Sequence, residues 1–171
     1  MRIIVFAFVL LGAWAPVAAS GPEVIFGQAS VVDGDTITIV GQNIRLNGID
    51  APEGAQSCFD PDQSNWPCGR RAAFALADRI GRLNVSCTKL GTDRWKRPIA
   101  RCSLGNVDLQ EWMVANGWAL AYRRYSRDYI AAEAVAKTAK AGLWVGTFQA
   151  PWDWRRDRDS PLYGAQIGPP Q

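Results

Sequence analysis

The chain has 171 residues, and its 19 Lys and Arg against 16 Asp and Glu give a formal net charge of +3 at pH 7. This weak positive charge does not by itself indicate a nucleic-acid partner. The sequence contains no histidine, which excludes Ser-His-Asp and Cys-His catalysis, histidine-ligated zinc and an imidazole base. Proton transfer in an enzyme of this composition would fall to carboxylates, arginine, tyrosine or metal-bound water.

Residues 1–19 have the pattern of a secretory signal peptide. Arg2 supplies the positive region, residues 3–14 are mainly apolar, and Val17, Ala18 and Ala19 form a small-residue cleavage site. The apolar run is shorter than the ~20 residues needed to span a bilayer. We therefore expect a secreted or periplasmic protein with no membrane association after signal removal. One domain should cover 20–148, and a tail rich in Trp, Arg and Pro should cover 149–171.

Segment 31–53 is predicted to form a β-meander that carries most of the candidate chemistry. An Asp-Gly-Asp turn at 33–35 precedes a strand over 36–40, and a turn at 41–43 leads to a second strand over 44–49. If this turn pairs Val40 with Asn43, Thr38 faces Arg45. The meander would then bring four charged side chains to one edge: Asp35, Arg45, Asp50 and Glu53.

The acidic turns of this segment also have an ordinary structural explanation. Turn chemistry explains each acidic piece separately, because Asp and Gly tolerate turn geometry and Pro52 ends a strand. Turn chemistry does not require an arginine on the polar face of the strand between the two acidic turns.

Over the whole chain, most basic residues are arginines and few are lysines. This predominance of arginine suits bidentate phosphate binding, but a genome of high GC content would produce it too.

Four cysteines follow the signal segment, at positions Cys58, Cys68, Cys87 and Cys102. An even number of cysteines in a secreted chain favours disulfides over a metal site or a catalytic thiol. Three pairings are possible. Strands predicted over 83–90 and 99–104 place Cys87 opposite Cys102 if residue 90 meets residue 99, so we expect that bridge. Cys58 would then pair with Cys68 and close the loop after Glu53.

Three helices are predicted, over 69–82, from an Asp108 cap to Gly117, and from a Ser126 cap to Gly142. A short strand over 118–122 lies between the second and third helices. The third helix is expected to bury Ile130, Ala131, Ala134, Val135 and Thr138. Five short strands, a strong early meander and helices between them predict an α+β fold built on a five-stranded Greek-key β-barrel of the OB type.

The connection over 91–98 is dense in cations and contains Trp95 between Arg94 and Arg97. A solvated loop is the ordinary explanation of such a charge run. An exposed tryptophan among arginines is costly unless the ring covers a surface or stacks on a ligand. The connection is therefore a candidate for substrate contact.

The charged positions occur in a fixed order: Asp35 in D-G-D-T, Arg45 in I-R-L, Asp50 and Glu53 in D-A-P-E, and Arg97 in D-R-W-K-R. With A-N-G-W-A and the closing G-L-W, the chain from about 31 to 144 resembles the staphylococcal nuclease (thermonuclease) family. The resemblance implies an SNase-like barrel. It also implies that the carboxylates of Asp35 and Asp50 and the backbone carbonyl of Ala51 bind one Ca²⁺, where the family usually has threonine at position 51. Oxygen-only donors suit such a hard cation.

The resemblance implies roles for the remaining residues as well. Arg45 and Arg97 would bind the scissile phosphate and stabilise its developing charge, and Glu53 would accept a proton from, or position, the attacking water. The implied reaction hydrolyses the 5′ P–O bond of DNA or RNA and leaves 3′-phosphate ends, with single strands preferred and a monomeric enzyme. Substrate contacts would come from Arg94, Trp95, Tyr122 and Tyr125.

Two alternatives remain. Tyr122 and Tyr125 would also be explained by packing at the third helix. An SNase-like module that binds nucleic acid or a protein partner without cleavage would keep the fold, but it would not need all five charged positions. A metal-binding structural domain of the cell envelope would have no use for the two arginines.

Overall fold

The computed structural model describes residues 21–160. Its strands are β1 (Val24–Asp33), β2 (Thr36–Ile39), β3 (Gln42–Leu46), β4 (Ile49–Asp50), β5 (Cys58–Phe59), β6 (Asn65–Trp66), β7 (Asn84–Thr92), β8 (Pro98–Leu104), β9 (Val107–Asp108) and β10 (Leu120–Ala121). Its α-helices are α1 (Cys68–Ile80), α2 (Leu109–Ala115), α3 (Ile130–Thr138) and α4 (Pro151–Arg158), with a 3₁₀ helix at Gly142–Val145.

Five of these strands close into a barrel. The order is β3-β2-β1-β7-β8, and a parallel pairing returns from β8 to β3. The inward-facing residues of these strands are apolar at alternate positions, as in Ile37, Ile39, Ile44 and Leu46, which are almost fully buried. Helices α1 and α2 pack Leu76 and Met113 into the same core. The predicted α+β fold with a five-stranded OB-type barrel is confirmed, and the described residues add a fourth helix, α4.

The register of the hairpin between β2 and β3 differs from the prediction. Ile39 pairs with Gln42 and Thr38 with Asn43, so the expected pairing of Val40 with Asn43 is wrong. The turn consists of two residues, Val40 (φ 49°) and Gly41 (φ 74°). Both have positive φ, as in the type I′ turns whose twist matches antiparallel strands. The turn therefore lies one residue earlier in the chain than expected, which places Arg45 opposite Thr36 and beside Asp35.

Both predicted disulfides, Cys58–Cys68 and Cys87–Cys102, are present. Cys87 lies opposite Cys102 in the antiparallel pair of β7 and β8, as expected. The register shifts between Lys89 and Gly91, so Ile99 pairs with Gly91 and not with residue 90. The cysteine pair survives this irregularity because the shift lies on the far side of Lys89.

The second and third helices differ in how well they were predicted. Asp108 caps α2 by accepting a hydrogen bond from the Glu111 N–H at 2.9 Å. Helix α3 begins at Ile130, not at Ser126, whose hydroxyl accepts from Asp128 N–H in the preceding turn. The expected apolar stripe is confirmed only at Ile130, which is partly buried against the core. Its other members were wrong: Val135, for example, is 60% exposed, and the buried residues of α3 are Ala132, Glu133 and Ala136.

Glu133 faces inward because its carboxylate has three partners. One oxygen accepts the Ala121 N–H at 3.1 Å, and the other accepts Arg123 Nη2 at 2.6 Å and Lys137 Nζ at 2.9 Å. Burial alone would raise the pKa of Glu133, but the hydrogen bonds and charge of these partners lower it below its ordinary value of 4.5. The side chain thus fixes β10 to α3, just before Tyr122.

A second cluster lies beside the barrel around the Cys58–Cys68 bridge. Its buried members are the two cysteines, Leu120 and Leu143, and the side chains packed against it include Trp144, Phe148 and Trp152. Helix α4 begins on this cluster with the buried Pro151 at its first turn. The first part of the expected tail is therefore helical.

The predicted signal peptide, 1–19, and the end of the predicted tail, 161–171, lie outside the described residues. Over 21–160, no helix combines the length and the apolar character that crossing a membrane would need.

Replacing Glu133 with Gln should lower the free energy of unfolding by about 1–2 kcal/mol at pH 7, because the variant loses charge-assisted hydrogen bonds. A depressed pKa contributes stability that is present above the unfolded value and lost as pH falls through the folded value. The gap between wild type and Glu133→Gln should therefore shrink below pH 4.5. Urea denaturation across this range measures it, and a pH-independent gap would contradict the assignment.

Candidate active site

A cleft of about 730 Å³ opens on one side of the barrel. It is lined by the end of β3, by the connection between β7 and β8, by the segment after β10, and by α4. All five charged positions singled out in the sequence lie in or directly behind this cleft. The structure thus brings together side chains that come from separate turns and strands.

Asp35 and Asp50 form the buried floor of the site, with 3% and 0% of their surfaces exposed. Arg45 bridges them: Nη1 donates to Asp35 Oδ1 and Nη2 to Asp50 Oδ1, each at 2.8 Å. The second oxygen of Asp35 accepts the backbone N–H of Ala51 at 2.9 Å. Burial lowers the pKa of Arg45, but the charges of the two aspartates raise it on balance.

Asp33 is the other acidic residue of the Asp-Gly-Asp turn. Its Oδ1 accepts the Asp35 N–H at 3.0 Å, which closes the turn. Burial and the neighbouring Asp35 charge raise the pKa of Asp33 to about 6. Gly34 is needed between the two aspartates, because a Cβ there would lie 2.6 Å from Ala51 Cβ. Burial raises the pKa of Asp35, and this effect outweighs the positive charge of Arg45, which lowers it.

Glu53 stands at the rim of the floor, on the loop that follows β4. Its backbone N–H donates to Gln56 Oε1 at 3.2 Å, and the buried Gln56 side chain donates to the Gln149 carbonyl at 2.7 Å. Gly69, at the start of α1, allows this loop to approach closely, since a Cβ there would lie 1.7 Å from the Glu53 carbonyl oxygen. The loop that carries Glu53 is thus tied to α1 and to the chain just before α4.

Arg155 of α4 is a site residue that the sequence analysis missed. Its Nη2 donates to Asp50 Oδ2 at 2.8 Å, while Nη1 donates to Glu53 Oε1 at 2.7 Å and to Asp50 Oδ1 at 3.1 Å. Partial burial lowers the pKa of Arg155, but its hydrogen bonds to the two carboxylates raise it on balance. The sequence placed Arg155 only in the tail rich in Trp, Arg and Pro, because nothing local to it indicates a contact about a hundred positions earlier in the chain.

Arg97 lies on the opposite side of the cleft and does not bond to the acidic floor. Its Nε donates to Asp93 Oδ2 at 2.7 Å, and Asp93 Oδ1 accepts the backbone N–H groups of Trp95 and Arg97. Trp95 is 62% exposed, and two guanidinium groups lie near its ring, with Arg94 at 4.0 Å and Arg97 at 5.1 Å from its centroid. This cation–π arrangement holds both arginines at the cleft.

The remaining wall is aromatic. Tyr122 stacks on Trp152 of α4 with centroids 5.2 Å apart and an interplanar angle of 7°, and Tyr125 meets Tyr122 edge-on at 4.9 Å. Both predicted tyrosines therefore line the cleft. Trp152, which the sequence placed only in the predicted tail, lines the cleft with them.

The donor set of the floor fits a hard divalent cation by its chemistry. Asp35 and Asp50 offer carboxylate oxygens, and nitrogen or sulfur donors are lacking nearby, since both cysteine pairs are oxidised. Over residues 21–160, no group of three or more His, Cys, Asp or Glu side chains is arranged to hold a metal. A cation at this floor would therefore need backbone oxygen and water in addition to the two aspartates.

The fold and the cleft together define the class of protein, which is an OB-type barrel with an acidic, arginine-bridged site on its side. The family described as "Staphylococcal nuclease homologue" matches residues 43–146. The chain belongs to this family.

The chain is similar to proteins from bacteria and from a plant, of which three are described. The chain is 36% identical over 129 residues to the succinoglycan biosynthesis protein ExoI of Rhizobium meliloti, covering 74% of this chain and 68% of that protein. It is 31% identical over 134 residues to an uncharacterized endonuclease of Haemophilus influenzae, covering 74% and 70%. With the probable staphylococcal-like nuclease CAN3 of Oryza sativa subsp. japonica, it shares 35% identity over 118 residues, 67% of this chain but 29% of that protein.

Replacing Arg45 with Ala should lower the free energy of unfolding by about 3 kcal/mol, because it leaves the buried Asp35 without its charged partner. Arg101→Ala is the matched control, since Arg101 also lies on a barrel strand but its ion pairs are half exposed and worth under ~1 kcal/mol. Chemical denaturation of both variants makes the comparison. Equal losses would show that Arg45 does not stabilise the floor.

Proposed function

We propose that this chain is a calcium-dependent endonuclease that hydrolyses phosphodiester bonds of DNA and RNA. It would cleave the 5′ P–O bond and leave 3′-phosphate ends, with single strands preferred. The observation that carries the proposal is the joining of Asp35 and Asp50 by Arg45 at the floor of a cleft that also holds Glu53 and Arg97. Membership of the nuclease family supports nuclease activity in general.

Asp35, Asp50 and the backbone carbonyl of Ala51 would hold Ca²⁺. The bound ion would supply positive charge against the phosphate oxygens and favour a reactive water. Ala51 in place of the family's usual threonine still leaves a backbone oxygen. Its methyl group packs against Gly34, so the small residue suits the tight Asp-Gly-Asp turn.

The chain's own residues would divide the remaining work. Arg45 and Arg97 would bind the scissile phosphate from two sides, where the guanidinium fork matches two phosphate oxygens. Glu53 would accept a proton from the attacking water as the oxygen–phosphorus bond forms. The bond from phosphorus to the 5′ oxygen would break, and the 5′ oxygen would leave with a proton from solvent.

Aromatic and cationic side chains would bind the neighbouring nucleotides. Tyr122 and Tyr125 line one wall, and Trp95 with Arg94 lines the other. Base stacking on such rings tolerates any sequence and requires unpaired bases, which favours single strands. Because backbone contacts carry little sequence information, both DNA and RNA would be substrates.

The place of action would be a periplasm or the extracellular medium, and the protein would act as a monomer. Two disulfides among the described residues support an oxidising compartment.

A second candidate is a binding module of the same fold that does not cleave. The contact of Arg155 with both Asp50 and Glu53 favours it, because it occupies two carboxylates that catalysis would use. The name of the Rhizobium meliloti relative, a biosynthesis protein, does not itself describe a nuclease. Cleavage assays separate the two candidates.

Purified oxidised protein should cleave single-stranded DNA and RNA with Ca²⁺ and should stop when a calcium chelator is added. Products should resist end-labelling at the 3′ side until a phosphatase removes the 3′-phosphate. Binding without cleavage under every divalent metal would favour the second candidate. Products that end in 3′-hydroxyl groups would contradict the proposed bond.

Arg97→Lys should reduce turnover at least about 100-fold, because lysine cannot bind two phosphate oxygens at once or spread its charge over them. Stability should change by less than ~1 kcal/mol, since the side chain of Arg97 is partly exposed and makes its ion pair at the rim. Single-turnover kinetics and urea denaturation give the two readouts. Near-normal turnover would remove Arg97 from the proposed site.

A further inference from the structure

Arg155 reaches the acidic floor from a helix that lies beyond the matched family region. That region ends at residue 146, whereas α4 covers Pro151–Arg158. The acidic site therefore has a cationic member contributed by the chain after the matched region.

Helix α4 is fixed in place by packing on two sides. Pro151 is buried at its first turn, and Trp152 packs on the cluster around the Cys58–Cys68 bridge and stacks on Tyr122. The chain just before α4 is held by the bond from the buried Gln56 side chain to the Gln149 carbonyl. Arg155 is thus placed at the floor by ordered structure and not by a free arm.

The contact of Arg155 with Asp50 is bidentate and involves both carboxylate oxygens, at 2.8 and 3.1 Å. Asp50 is fully buried, and the Arg155 side chain is 29% exposed. The same guanidinium bonds Glu53 at 2.7 Å. Charge-assisted fork contacts of this kind are the strong class of hydrogen bond.

We propose that Arg155 is an additional residue of the site that sets its affinity for the divalent cation by competing for the carboxylate of Asp50. The proposal rests on the proposed function, in which Asp50 is a metal ligand. A guanidinium already bonded to both oxygens reduces their availability to a cation, and its charge repels an incoming ion at short range. Cation binding must therefore displace or weaken the Arg155 contact, which lowers the metal affinity of the site.

The geometry places Arg155 on the proposed metal ligand itself. Its Nη1 and Nη2 donate to both oxygens of Asp50, whereas Arg45 bonds only one oxygen of Asp50 and one of Asp35. Arg97, by contrast, makes no bond to the acidic floor. Arg155 is accordingly a residue that acts through Asp50, and metal affinity is the property it should change.

Isothermal titration of Ca²⁺ into the metal-free protein, without nucleic acid, tests the proposal. Arg155→Ala should bind Ca²⁺ with a dissociation constant at least about tenfold lower than wild type. Arg156→Ala is the matched control, because it removes the same charge from the same helix at a side chain that is 71% exposed. Its dissociation constant should stay within about twofold of wild type. Arg155→Gln tests the same loss of charge with an amide that retains N–H donors, in case Arg155→Ala does not fold.

Each outcome of the Ca²⁺ titration either supports or overturns the proposed role of Arg155. Tighter binding by Arg155→Ala or Arg155→Gln alone supports the proposal. Unchanged or weaker binding by both, with wild type still binding Ca²⁺, overturns it and leaves the nuclease proposal standing. Equal tightening in Arg156→Ala shows a general effect of net charge and also overturns it. Absence of Ca²⁺ binding in every variant overturns both this proposal and the calcium dependence.

Discussion

The structure around the cleft depends on two buried aspartates that share one arginine. Asp50 has no exposed surface, and a buried carboxylate is costly unless a paired charge and hydrogen bonds compensate it. Arg45 and Arg155 supply that pairing for Asp50. The position of Arg45 follows from the two-residue turn of the β2–β3 hairpin, which sets Arg45 opposite Thr36. Pairing of Arg45 with Ile99 on β8 also closes the barrel. The arginine that both aspartates share thus lies on the strand that completes the fold.

The other side of the cleft depends on a second packing unit. The Cys58–Cys68 bridge and Leu143 form a small core beside the barrel, and α4 packs against it through Trp152. This core orients the stack of Trp152 on Tyr122 and delivers Arg155 to Asp50. A change in the disulfide loop would therefore reach the acidic floor through α4, without any direct contact between the bridge and the aspartates.

Sequence predicted the barrel, the five charged positions and both disulfides because each leaves a local signal: alternation, turn residues and cysteine spacing. It missed the hairpin register, since Val40 is an unusual residue for a turn position with positive φ. It placed most of the buried face of α3 wrongly, since periodicity assigns a glutamate to solvent. Glu133 turns inward because Ala121 and Arg123, which lie outside the helix, bond its carboxylate together with Lys137. Arg155 gave no signal, since its contacts lie more than a hundred positions away.

The charges in the cleft are arranged in two groups with different tasks. Asp35, Asp50 and Glu53 face Arg45 and Arg155 at short range, so the floor is nearly balanced and a cation entering it must exchange with an existing partner. Arg97 and Arg94 are held at the rim by Asp93 and by the Trp95 ring, away from those carboxylates. This separation keeps the rim arginines from neutralising the floor. It leaves their positive charge directed at an anionic backbone, where a phosphate diester would meet it first.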